Sequence, residues 1–155
     1  MLNSRLEPFW YGLVAVENLA GVKFASVRSR NKREIGLKIA DLKEGIKPPE
    51  DLVKFEKDRI ALCEVHSDKD KDGKSVLVNG NYKFSNHKKV ERVFDKLKKK
   101  YNGTIEAREK QEKEYNKLLA EESDVEIKMV AERDVPKAIT GKQFEDIMEM
   151  IRDPK

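Results

Sequence analysis

No apolar run in this sequence approaches the roughly 20 residues that a membrane-spanning helix requires. The longest, Phe9 to Val16, contains Gly12 and gives way to Glu17. A secretory leader would set positive charge ahead of a longer greasy stretch, whereas Arg5 is offset here by Glu7. Cysteine is nearly missing too: Cys63 stands alone and has no partner for an internal disulfide. The Asn102-Gly103-Thr104 sequon then reads as a chance match, and the expectation is an intracellular, cytoplasmic protein with no membrane partner. Aromatics make up 7% of the chain and histidines number 2, so neither a base-stacking platform nor a histidine-rich metal centre is advertised.

Charge is what the sequence has in quantity. Of 155 residues, 33 are Lys or Arg and 29 are Asp or Glu, while 38% are apolar. The formal net charge of +4 is too small for a global field, so any polyanion partner must be met by local clustering. The apolar residues fall into periodic stripes, which predicts folding around a narrow core rather than disorder. The length predicts one domain over 1–155, or one domain with an arm.

Three helices are predicted over 1–66. Leu6, Phe9, Leu13, Val16 and Ala20 step by three and four from Leu6 to Ala20, with Pro8 in the first turn. From Gly21 onward, Phe24, Val27, Ile35, Ile39, Leu42 and Ile46 keep one apolar face, with Asn31 at a step where a hydrophobe is missing, until Pro48 and Pro49 stop it. A third helix runs from Pro49 or Glu50 to about His66 on Leu52, Phe55, Ile60, Leu62 and Cys63.

The period then changes. Over 75–84, two short β-prone runs flank Asn79-Gly80, a pair that accepts the two positive φ angles of a type I′ turn, so a hairpin is predicted. The alternation of Val125, Ile127, Met129 and Ala131 over 125–131 offers it a third strand. Between them Ser85 or Asn86 caps a stripe of Val90, Phe94, Leu97, Tyr101, Ile105, Arg108, Glu112, Tyr115 and Leu119 over 86–122. As one rod this helix would be about 55 Å long against about 40 Å for a compact globule, so it either kinks at Gly103 or projects and meets another helix; the projecting rod is the expectation. Thr140 with Gln143 forms a capping box ahead of Phe144, Ile147, Met148 and Ile151, predicting a last helix over 140–152. The fold class expected is mainly α (α+β), a helical bundle with a long charged helix and a small antiparallel hairpin or three-stranded sheet.

Constellations that would carry catalysis are incomplete. Asp68, Asp70, Asp72 and Gly73 reproduce the opening of a calcium loop, but its eighth place is Ser75 and its twelfth, where a bidentate Glu belongs, is Asn79. Cys63 and His66 have the spacing of half a zinc site, with only His87 left to add. The same residues could pair as nucleophile and base, yet no orienting group accompanies them. The expectation is no catalytic residues, no cofactor, no metal and no enzymatic activity.

Clustering of cations says more. Lys23, Arg28, Arg30, Lys32, Arg33 and Lys38 crowd the second helix, and His87, Lys88, Lys89, Arg92, Lys96, Lys98, Lys99 and Lys100 the first half of the long one. Glu106 to Glu126 is acidic by contrast. Arg28, Arg30, Lys32, Arg33, Lys88, Lys89, Arg92, Lys96 and Lys99 form a candidate basic patch for phosphates; alternatively the basic and acidic halves pair with each other within a bundle or across a dimer, or simply keep the surface wet. Phe9, Trp10 and Tyr11 form a candidate partner-binding patch, against the alternative that they fill their own core.

In Phe24 to Arg33, read as F-x-x-x-x-x-R-N-K-R before a helix, in Lys69 to Lys74 leading into Asn79-Gly80-Asn81-Tyr82, and in Val135 to Gln143 ahead of the final helix, the chain resembles small bacteriophage-encoded helical proteins of unknown function. The resemblance implies a protein that works by binding, in virion assembly or on a host complex. The function expected is therefore a non-enzymatic protein-binding adaptor or inhibitor that self-associates through its helices, the alternative being a basic nucleic-acid-binding module.

Overall fold

The periodicity of the sequence is met by a mainly helical chain in the computed structural model, which describes residues 1–152. Its elements are α1 (Asn3–Ala15), α2 (Val22–Gly45), α3 (Glu50–His66), β1 (Leu77–Val78), β2 (Asn81–Tyr82), α4 (His87–Lys100), α5 (Asn102–Ala120), β3 (Val130–Ala131), α6 (Gly141–Asp146) and β4 (Ile151–Arg152). Where the sequence predicts one domain, the chain groups into two compact units. The first comprises Met1–Ile46 and the described residues from Glu114 onward; the second is Lys47–Lys113.

In the first unit α1 packs on α2 and on α6. Leu6, Phe9, Leu13 and Val16 supply one buried face, Phe24, Ile35 and Leu42 the other, and Val130, Ile147, Met150 and Ile151 close the core. Asn31, the polar residue on the apolar face of α2, is 1% exposed. Its amide donates to the Lys128 carbonyl at 2.9 Å and accepts from the Lys128 N–H at 2.8 Å. A side chain thus satisfies the backbone of 125–131 midway along its length, where a strand partner would otherwise be needed. The predicted third strand is corrected accordingly: Val130–Ala131 alone is strand, and it pairs in parallel with Ile151–Arg152, not with the hairpin.

Two boundaries in this unit also differ from the reading of the sequence. The first helix begins at Asn3 and stops at Ala15, rather than running from Leu6 to Ala20. Arg28 reaches across from α2, and its Nη1 donates to the carbonyls of Val16 at 3.1 Å and Glu17 at 2.5 Å, capping a helix end that has no cation of its own. The last predicted helix keeps its capping box, with Thr140 and Gln143 bonded reciprocally, but ends at Asp146. A short 3-10 turn over Met148–Met150 and then β4 replace the rest, which buries Met150 and Ile151. Gly12 permits the close approach of α6, since a Cβ there would stand 2.6 Å from the Asp146 carbonyl oxygen.

The second unit is α3 packed on α4, with the hairpin between them in sequence. Asn79 at φ 51° and Gly80 at φ 80° make the predicted turn, and Leu77 pairs with Tyr82 across it. Phe84 stands edge-on to Phe94 at 6.4 Å, and Phe55 to Tyr101 at 5.5 Å. The uninterrupted rod over 86–122 is not found. The chain leaves the helix at Tyr101, at φ −109° and ψ 18°, and re-enters it at Asn102. Tyr101 is held there from its side chain: its hydroxyl donates to Asp58 at 2.9 Å and its ring meets Phe55. Its neighbours Asn102 and Gly103 are poor helix formers that do not oppose the break.

Candidate functional site

The three aromatics of α1 part company. Phe9 is in the core, and Trp10 lies half-buried on α2, its Nε1–H donating to the Lys32 carbonyl at 3.1 Å. Only Tyr11, 59% exposed, is offered outward, with its ring edge-on to Trp10. The continuous aromatic patch expected from the sequence is thus reduced to one residue, because a helix turns successive side chains about 100° apart. Tyr11 borders a cleft of about 330 Å³ in the first unit, lined also by Glu7, Ile39, Lys43, Tyr115 and Leu119. At its edge Lys43 donates to Glu7 at 2.8 Å, and that bond raises the Lys43 pKa.

The candidate basic residues divide by helix. On α2, Arg28 is buried and spent on the end of α1, so it leaves the patch. Lys32 is 3.0 Å from Glu17 and lies over the Trp10 ring, Arg33 is 3.9 Å from Glu34, and Lys38 is 2.6 Å from Asp124, whose pKa this bond lowers. Arg30 is exposed. Most of the cations on α2 are therefore neutralised within the first unit.

On α4 the outcome is the reverse. Val90, Phe94 and Leu97 turn toward the unit's interior, while Lys88, Arg92, Lys96 and Lys99 follow one another at steps of four, four and three along the exposed face, with Lys89 beside them. All five are exposed, and among the described residues none makes an ion pair. The cation of α4 that does is Lys100, 3.0 Å from Asp58, where it and the Tyr101 hydroxyl hold the carboxylate below its usual range. The second unit holds 18 Lys and Arg against 13 Asp and Glu, a net +5, while the remainder of the chain carries a net −1.

The carboxylates that open like a calcium loop are engaged elsewhere. Asp68 accepts from the Ser85 N–H at 2.8 Å and its hydroxyl at 2.7 Å, and these bonds lower its pKa. Asp70 accepts from the backbone N–H groups of Asp72 and Lys74, and Asp72 is exposed. Among the described residues no three His, Cys, Asp or Glu side chains gather as metal ligands would. Burial pushes the Cys63 thiol upward in pKa, away from the thiolate a nucleophile requires, while His66 is half-buried and His87 exposed.

The second unit also leaves apolar groups in water. Its buried apolar side chains are Cys63 and Leu97, whereas Val53 and Ile60 are each 44% exposed, Val65 69%, Leu77 56% and Val78 53%. Sequence reading missed the Asp58, Lys100 and Tyr101 cluster, because nothing local marks Asp58 as the partner of residues 42 and 43 positions away. The Asp68 and Ser85 pairing closes the ends of the hairpin segment, and its one sequence signal was a second Asx or Ser candidate beside the Asn86 cap. Comparison of the chain with protein-family models, with curated protein sequences and with solved structures finds no match. No helix among the described residues is long and apolar enough to cross a membrane.

Proposed function

We propose that the protein acts by binding rather than by catalysis, as an adaptor that associates with a second copy of itself through the second unit. The observation that carries this reading is the exposure of Val53, Ile60, Val65, Leu77 and Val78 in a unit with so small a buried core. Exposed aliphatic side chains on α3 and the hairpin would contribute about 25 cal/mol per Å² once a partner covered them. Val53 and Ile60 are seven residues apart, on one side of α3, as expected of a helix-to-helix seam. The spent carboxylates of Asp68 and Asp70 and the raised thiol of Cys63 support a non-enzymatic role. The resemblance to phage-encoded proteins supports a host or virion protein as the further partner, met in the host cytoplasm.

The test is molar mass in solution across a range of concentrations. The expected result is a species at a multiple of 17.9 kDa that a Val53→Ser, Ile60→Ser variant returns to 17.9 kDa with its helicity retained. A mass of 17.9 kDa at every concentration would remove self-association from the reading.

A further inference from the structure

The exposed cations of α4 belong to a different element from the apolar side chains of α3 and the hairpin, and they fit a different partner. Lys88, Arg92, Lys96 and Lys99 line one face of α4 over about 16 Å of helix axis, with Lys89 on the flank. The helix as a whole has seven Lys and Arg against Glu91 and Asp95, and one cation of the seven, Lys100, is paired. Its first turn is also cationic, with Lys88 and Lys89 at the positive pole of the helix, where α3 of the same unit has Glu50 and Asp51. Cations at that pole repel the helix dipole, and an anion lying along the face relieves the repulsion.

We infer that this face of α4 binds the phosphate backbone of double-stranded nucleic acid, without reading its sequence. Three observations choose that partner among polyanions. The face is four lysines and one arginine, four of them three or four residues apart, a row of like charges that matches the repeating charge of a phosphate backbone. An exposed lysine paired with a protein carboxylate contributes little, whereas each one placed against a duplex releases condensed counterions. The aromatic side chains of the unit, Phe55, Tyr82, Phe84, Phe94 and Tyr101, face one another and are none of them exposed, so no stacking platform for single-stranded bases is presented. Asn86, which precedes the face, spends its side-chain oxygen on the cap of α4.

Fluorescence anisotropy of a short labelled duplex titrated with the full chain, over a series of salt concentrations, tests the inference. The expected dissociation constant is on the order of 10 μM at physiological salt, equal for unrelated sequences, with log affinity falling against log salt at a slope of about −4. Lys88→Gln, Arg92→Gln, Lys96→Gln and Lys99→Gln combined should weaken binding at low salt at least tenfold and flatten the slope to about −1. Arg30→Gln with Arg33→Gln on α2 should change neither. Should the fourfold variant lose its helicity, each single substitution should still reduce the slope by about one. Failure to bind any duplex at low salt overturns the inference, as does an unchanged slope in the α4 variants or an equal loss in the α2 variant. Polyglutamate that displaces the duplex as well as unlabelled duplex does would assign the face to an acidic protein instead and overturn it too.

Discussion

The two units are drawn from one charged sequence and stabilise themselves by different means. In the first, Leu6, Leu13, Val16, Phe24 and Ile35 are out of water entirely, and the buried polar side chains Asn3, Arg28 and Asn31 each donate to a backbone carbonyl. In the second, two apolar side chains are buried, and the joints are ring contacts and hydrogen bonds near the surface: Phe55 with Tyr101, Phe84 with Phe94, Asp58 with Lys100, Asp68 with Ser85. The first unit pairs most of the cations on α2, and the second leaves those along α4 exposed. The contrast places the larger buried core in the first unit and the row of unpaired cations in the second.

The sharpest way to break that comparison is to cut into both cores. Phe24→Ala removes a ring that is fully buried, and a loss of about 3 to 5 kcal/mol in urea unfolding is expected. Leu97→Ala, at 7% exposure in a thin core whose surroundings can settle into the space, should cost about 2 kcal/mol. Equal losses would show that the second unit has a core as effective as the first, and the contrast in burial would carry no difference in stability.

Asn31 comes next, and it sharpens the account of the first unit. Asn31→Ala strips the Lys128 N–H and C=O of their partner at once, which should cost about 2 to 3 kcal/mol. Asn31→Leu should not rescue the loss, because the orphaned groups belong to the backbone. A fully stable Asn31→Leu protein would mean that the segment before β3 is held by Val125 and Ile127 alone. Gly12→Ala follows with about 1 to 3 kcal/mol, since the added methyl must push the Asp146 carbonyl aside; denaturation midpoints of Gly12→Ala and of Gly45→Ala, where a Cβ meets nothing, make the comparison direct.

How far the sequence could carry these conclusions depended on the range of the interactions involved. The extents of α2 and α3, the turn at Asn79-Gly80 and the capping box at Thr140 are written in residues a few positions apart, and each is where the periodicity and turn chemistry place it. The break at Tyr101 is decided by Asp58 and Phe55 on another helix, so an apolar stripe that keeps its phase through Asn102-Gly103 gave no sign of it. The strand over 125–131 was misplaced for the same reason: its alternation is real, but Asn31, 97 positions away, takes its backbone bonds. Among the candidate site residues, the exposed lysines of α4 could be read from their place opposite Val90, Phe94 and Leu97, whereas Arg28 could not, since its buried role depends on where α1 ends.

The smallest effect expected concerns acid, and it separates the units without any change in the core. Asp68 accepts both the N–H and the hydroxyl of Ser85, bonds made to the charged carboxylate that hold its pKa below the ordinary carboxylate value in the folded chain. What it adds to stability is therefore complete above the ordinary carboxylate range, drains away as pH falls through that range, and is gone below the lowered folded value. Asp58, held down by Lys100 and Tyr101, acts in the same sense and in the same unit. Asp124 in the first unit is lowered as well, but its partner Lys38 ties a side chain rather than the two ends of a hairpin segment. Hydrogen exchange on acidification should accordingly show the amides of β1, β2 and the first turn of α4 losing protection while those of α1 and α2 keep theirs. In an Asp68→Asn protein, which has no charge to lose there, the hairpin amides should be less protected at neutral pH and change less on acidification. An acid step of the same size in that protein would place the sensitivity in Asp58, and the hairpin would then be held by its turn and strand pairing rather than by the carboxylate at its base.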